Sequence, residues 1–210
     1  VTTSLAVGDG ELQLSPSPEE FAVRAASQSV VPIFCEIVAD TLTPVAAFLH
    51  AVGEEPGFLL ESVEGGERWG RYSFVGRAPL ATITARGRRV EAAGALSVAT
   101  ADGVLATLEQ LLATHHTPVL AGLPPLYSGV VGYLGYDVVR EVEKLPAVPR
   151  DDQGFPDALL SVIGQVAAFD HWRQRVLLVD NVIVEDRSEA GLDAAYTSGR
   201  RRLEAFAREI

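Results

Sequence analysis

The chain has 210 residues, 48% of them hydrophobic, enough apolar material to bury a sizeable core and too much for an intrinsically disordered chain. Its 17 basic and 28 acidic side chains leave a formal net charge of −11, which repels phosphate backbones and anionic lipid, so neither nucleic acid nor membrane is an expected partner. Cys35 is the only cysteine, which excludes an intramolecular disulfide and points to a reducing compartment; the expected location is cytoplasmic.

Residues 1–16 read as an N-terminal tail, in which Val1 to Leu14 lack the basic start and apolar run of a signal peptide. Ser17-Pro18-Glu19-Glu20 then combines an N-cap, a proline at the first helical position and acids in the first turn, which predicts a helix to about Ser27. Val30 to Ala39 is rich in β-branched and aromatic residues and predicts a strand. Thr43-Pro44 repeats the helix-start signal, and Gly53 supplies a stop.

From Phe58 the pattern changes to short apolar runs separated by glycines: Phe58 to Ser62, Trp69 to Val75, Ala81 to Ala85 and Arg89 to Ala92. These predict an antiparallel meander. Asp102 to His115 has helical spacing, with Asp102 as the expected cap. Pro118 to Pro125 is a loop, Leu126 to Leu134 a glycine-interrupted strand, and Tyr136 to Glu143 helical. Two long strands follow, Ala158 to Phe169 and Arg175 to Glu185, joined by a turn at 170–174. Ser188 to Ile210 closes the chain as a helix with Ala195, Leu203, Phe206 and Ile210 on its apolar side. The fold class is therefore α+β, a largely antiparallel sheet with flanking helices. Residues 17–187 read as one domain and 188–210 as a C-terminal helix.

Catalytic chemistry is hard to find. His115 and His116 are adjacent, so on a helix they face different ways and cannot share a metal. Cys35 sits in an apolar strand and reads as core, and Asp151-Asp152 reads as a solvated loop. Gly129, Gly132 and Gly135 recur at every third position but match neither a dinucleotide fingerprint nor a phosphate loop; close backbone packing accounts for them.

Two segments carry more information. The first is Phe58-Leu59-Leu60-Glu61-Ser62, followed after an acidic turn by Trp69-Gly70-Arg71-Tyr72-Ser73-Phe74-Val75-Gly76. The second is Ser128-Gly129-Val130-Val131-Gly132-Tyr133-Leu134-Gly135-Tyr136-Asp137. In order and spacing these resemble the N-terminal region of the large subunit of anthranilate synthase, from about Phe21 to near Glu185; aminodeoxychorismate synthase is a relative of that family, and a freestanding binding module is the third reading.

The resemblance implies a lyase of tryptophan biosynthesis that converts chorismate, with glutamine or ammonia, to anthranilate and pyruvate. It implies a glutamine amidotransferase partner and a Mg²⁺-dependent active site in a C-terminal chorismate-binding domain that would complete a larger two-sheet fold. In this chain the resemblance implies no cofactor and no catalytic residue. It implies an allosteric site for feedback inhibition by L-tryptophan at Leu60, Glu61, Ser62, Arg71, Tyr72 and Ser73.

The residue types suit an amino-acid ligand, because an ammonium group needs a carboxylate, a carboxylate needs hydroxyl or guanidinium donors, and indole needs an apolar slot. Glu61 and Ser62 are neighbours and cannot both face one pocket from a regular strand. The plain structural alternative makes Leu59 and Leu60 core and pairs Glu61 with an arginine across the sheet. On this reading purified residues 1–210 leave chorismate unchanged, with or without ammonia and Mg²⁺; anthranilate fluorescence above background would overturn it.

Overall fold

The computed structural model describes residues 12–38, 41–61, 70–115, 117, 120, 122–147 and 150–210. The elements in chain order are α1 (Pro18–Ala25), β1 (Val30–Val38), α2 (Pro44–Ala51), β2 (Gly57–Leu60), β3 (Tyr72–Arg77), β4 (Ala81–Arg86) and β5 (Arg89–Gly94). They continue with α3 (Val104–Thr114), β6 (Val130–Leu134), a 3-10 helix (Tyr136–Glu141), β7 (Ala158–Val162), β8 (Gln165–Asp170), β9 (Arg175–Ile183) and α4 (Glu189–Glu209). Among the described residues no helix is long and apolar enough to cross a membrane.

Helix starts follow the local chemistry of the sequence. At α1 the Ser17 hydroxyl accepts the Glu20 N–H at 3.2 Å while the Glu20 carboxylate accepts the Ser17 N–H at 3.2 Å, a complete capping box. Thr43 accepts the Ala46 N–H at 3.2 Å ahead of α2, and Ser188 accepts the Gly191 N–H at 3.1 Å ahead of α4. The expected cap of α3 is corrected. Gly103 holds the cap position without a side chain, and Asp102 instead pairs with Arg88 at 2.8 Å. The Glu141 carboxylate serves in its place, accepting the Val104 and Leu105 N–H groups at 2.7 and 3.0 Å.

The strands form two antiparallel sheets, ordered β1-β9-β8-β3-β2 and β5-β4-β7-β6. Two sequence expectations change as a result. The meander over Phe58 to Ala92 is divided, with β2 and β3 in the first sheet and β4 and β5 in the second. Pro79, between β3 and β4, has no N–H with which to continue a ladder. The single strand expected over Ala158 to Phe169 is also two strands in different sheets. The Ile163 N–H donates to the Gly129 carbonyl, while the next carbonyl, that of Gly164, accepts from the Asn181 N–H. The β8–β9 hairpin stands as expected, with Phe169 opposite Val176.

The chain gathers into two compact units: Val1–Ala78, Thr117–Ser128 and Gly164–Ile210 form the first, and Pro79–His116 with Gly129–Ile163 the second. In the first unit one face of the five-stranded sheet, with Ile33, Cys35, Val75, Ala167, Phe169 and Leu178, forms the core with the helices. Leu203 and Phe206 of α4 are fully buried there, each contributing about 1.5–3 kcal/mol. Gly199 lets α4 come close, since a Cβ there would lie 2.5 Å from Val182 Cγ2. Cys35 is core as expected, and burial pushes its thiol up to about 12.

In the second unit Ala81, Ile83 and Ala85 of β4 and Leu160 of β7 are buried with Val104 and Leu111 of α3. Gly132, with φ of 155°, passes so close to β7 that a Cβ would sit 2.1 Å from the Leu159 carbonyl oxygen, and at Gly135 it would sit 2.9 Å from that of Asp157, the close packing expected there; at Gly129 a Cβ would meet nothing within 4 Å, so its φ of 122° and not packing favours glycine.

A buried charge ties α4 to the sheet. Asp180 on β9 accepts from Gln165 Nε2 at 2.9 Å and from Arg202 Nε and Nη2 at 3.1 and 2.7 Å. Its side chain is 3% exposed, whereas that of Arg202 is 47% exposed. Removing the arginine therefore strands a carboxylate that water cannot reach. Breaking such a pair costs about 3–5 kcal/mol when both ends are buried, and the half-exposed guanidinium brings the expectation to about 2–3 kcal/mol. Arg202→Met should lower the urea midpoint accordingly; an unchanged midpoint would show that Gln165 alone satisfies Asp180.

Candidate functional site

Of the six residues expected to bind an amino acid, Leu60 ends β2, Glu61 follows it, Arg71 precedes β3, and Tyr72 and Ser73 open it. Ser62 lies outside the described residues. Register decides which of the others share a face. Leu60 stands opposite Phe74, and Tyr72 lies two residues before Phe74, so these three occupy one face of the sheet; the Tyr72 and Phe74 rings stack with centroids 6.0 Å apart. Ser73 and Val75 point to the opposite face, where the helices pack. Ser73 is 1% exposed, and its Oγ lies 2.8 Å from His171 Nε2. That hydroxyl is covered and ties β3 to the turn after β8.

Arg71 is the best-held member. Its Nε donates to Asp170 Oδ1 at 3.0 Å and its Nη2 to Asp170 Oδ2 at 2.6 Å, the two-pronged geometry that suits guanidinium to carboxylate. The Arg71 carbonyl accepts the His171 N–H at 3.0 Å, which prolongs the β3–β8 ladder by one step. The guanidinium carbon lies 4.8 Å from the Tyr72 ring centroid and 5.1 Å from that of Trp172, so an aromatic face stands at each. The structural alternative that pairs Glu61 with an arginine does not describe Arg71, whose partner is Asp170.

Burial pushes the Asp170 carboxyl upward. The Arg71 hydrogen bond and charge, together with the N–H groups of Arg173 and Trp172, outweigh it and hold the pKa below the ordinary carboxylate value. Asp170, His171 and Trp172 were legible in the sequence only as a turn. Nothing in the chain pattern places them beside Arg71, about a hundred residues earlier. The cluster brings together a guanidinium, a carboxylate and two aromatic rings.

A cleft of about 510 Å³ opens in the second unit, lined in part by Tyr136, Asp137, Arg140, Glu141, Asp151 and Phe155. It holds the Gly135-Tyr136-Asp137 run and none of the five expected residues that are described. Several of its charged groups are engaged with the protein: Arg140 pairs with Asp137 at 2.7 Å, Glu141 caps α3, and Asp151 accepts the Gln153 and Gly154 N–H groups at 3.1 and 2.9 Å. Among the described residues no group of three or more His, Cys, Asp or Glu is placed to hold a metal ion.

Residues 55–205 match the family described as chorismate binding enzyme. The chain is 35% identical over 197 residues to anthranilate synthase component 1 of Mycolicibacterium smegmatis, covering 92% of this chain and 38% of that protein. It is 36% identical over 202 residues to anthranilate synthase component 1 of Mycobacterium tuberculosis, covering 93% and 39%. The chain thus spans well under half the length of these relatives. Among solved structures, anthranilate synthase component I from Streptococcus pneumoniae superposes with a TM-score of 0.50 at 24% identity, over 81% of this chain and 36% of the other. That likeness extends the two-sheet α/β fold to a larger protein.

The Arg71–Asp170 pair makes a pH prediction whose sign follows from the lowered Asp170 pKa. A depressed carboxylate stabilises the fold above its unfolded value, about 3.9, and loses that contribution as pH falls through the folded value. Asp170→Asn should be less stable than wild type at pH 7, with the gap closing as pH falls below about 4. A gap in urea midpoint that stays constant from pH 7 to pH 3 would contradict this.

Proposed function

Because the chain belongs to the chorismate-binding enzyme family, we propose that it is the regulatory part of an anthranilate synthase component I, binding L-tryptophan as a feedback inhibitor. The observation that carries this reading is the similarity to proteins named anthranilate synthase component 1, at 35 to 36% identity over more than nine-tenths of the chain. In the proposed enzyme chorismate and glutamine or ammonia become anthranilate and pyruvate. Sequence beyond these 210 residues supplies the Mg²⁺-dependent chemistry, and a glutamine amidotransferase subunit supplies ammonia.

L-Tryptophan binds at Leu60, Glu61, Ser62, Arg71, Tyr72 and Ser73 in this proposal. Glu61 is exposed and offers a carboxylate to the ligand's ammonium, and Tyr72 and Leu60 offer apolar surface on one face of the sheet to the indole. Arg71 presents its guanidinium beside them, and Ser73 secures the strand from the other face through His171. Control requires that tryptophan prefer one of two states that differ in chorismate turnover.

The test is Ser62→Leu in a complete enzyme containing this region. Leucine fills the space with apolar bulk and leaves a ligand polar group unpaired, weakening tryptophan by about 1–3 kcal/mol or more, roughly tenfold or beyond. Turnover without tryptophan stays near normal. Coincident inhibition curves for wild type and variant, or loss of turnover with sensitivity intact, would remove Ser62 from the site.

A further inference from the structure

The partner of Arg71 bears on which ligands the proposed site accepts. A lone guanidinium beside an aromatic slot attracts any carboxylate, whether or not the molecule also carries an ammonium group. Arg71 is not alone. Asp170 lies 2.6 Å from its Nη2, and the side chains of Arg71 and Asp170 are 29% and 12% exposed, so little water separates them. The carboxylate is itself fixed, because Oδ1 also accepts the Trp172 and Arg173 N–H groups at 3.2 and 3.3 Å. The guanidinium is fixed by the pair and by the rings of Tyr72 and Trp172. The pair is therefore a rigid dipole with no net charge.

We infer that Asp170 is a specificity-determining residue, which by cancelling the charge of Arg71 makes the site select a zwitterionic aromatic amino acid over an aromatic monocarboxylate of the same shape. This rests on the tryptophan reading above. A zwitterion is also a neutral dipole and can lie against the pair with opposite ends matched. A monocarboxylate gains from Arg71 but is repelled by Asp170 at similar range, so the acid rejects the wrong ligand more than it holds the right one.

The experiment uses a complete enzyme carrying this region and two probes, L-tryptophan and indole-3-propionate, which keeps the indole and carboxylate but lacks the ammonium group. Calorimetry measures each dissociation constant for wild type, Asp170→Asn and Arg71→Gln. The quantity read is the ratio of the indole-3-propionate constant to the tryptophan constant. In Asp170→Asn the uncancelled guanidinium should lower that ratio about tenfold; in Arg71→Gln the uncancelled carboxylate should raise it by a similar factor. A purely structural role weakens both probes together and leaves the ratio unmoved. If one variant fails to fold, the other carries the test, because the two shifts have opposite sign. An unchanged ratio in the folded variants overturns the inference while tryptophan binding by wild type upholds the reading beneath it. No tryptophan binding by wild type overturns that reading, and the inference with it.

Discussion

Gln165 to Phe169 are buried on both faces of β8, so the backbone of that strand has no water to bond with and every N–H and C=O must be met by a neighbour. β3 supplies one ladder and β9 the other. The sheet's face pattern follows from those two registers, because a slip of one residue would carry Val75 and Ala167 out of the core and turn Ser73 outward. The same pairing brings the start of β3 to the β8–β9 turn, and without it Arg71 would have no Asp170 beside it.

Charge is handled differently at Asp180 and at Asp170, both in the first unit. Asp180 lies under α4 and is met by Gln165 and Arg202, so its role is to join helix to sheet. Asp170 lies at the end of the central strand β8, where Arg71 remains partly open to solvent and flanked by aromatic rings. A pair buried in the core has little to offer a ligand.

The second unit holds its own cleft. Its cleft gathers the Gly135-Tyr136-Asp137 run, and Glu141 reaches from the 3-10 helix to the start of α3, which fixes the chain after that run against the helix. The family match spans residues 55–205 and so includes both the β2–β3 segment and this cleft.

Local chemistry was sufficient for much of this. Ser17, Thr43 and Ser188 cap the helices that their side chains announce, since capping needs only residues three positions apart. Apolar periodicity located α4, and the β8–β9 hairpin followed from two apolar runs about a turn. The run from Ala158 to Phe169 was a different matter: it is apolar throughout, and its division between two sheets depends on partners at Gly129 and Asn181 that no local pattern reveals. The cap of α3 likewise comes from Glu141, 37 residues beyond Val104. For the candidate site, the sequence determined the family, the residue types and their order. Only the tertiary structure decided that Tyr72 and Ser73 face opposite ways and that Arg71 meets Asp170, because alternation and long-range pairing are settled by strand register, and register is chosen by the whole sheet.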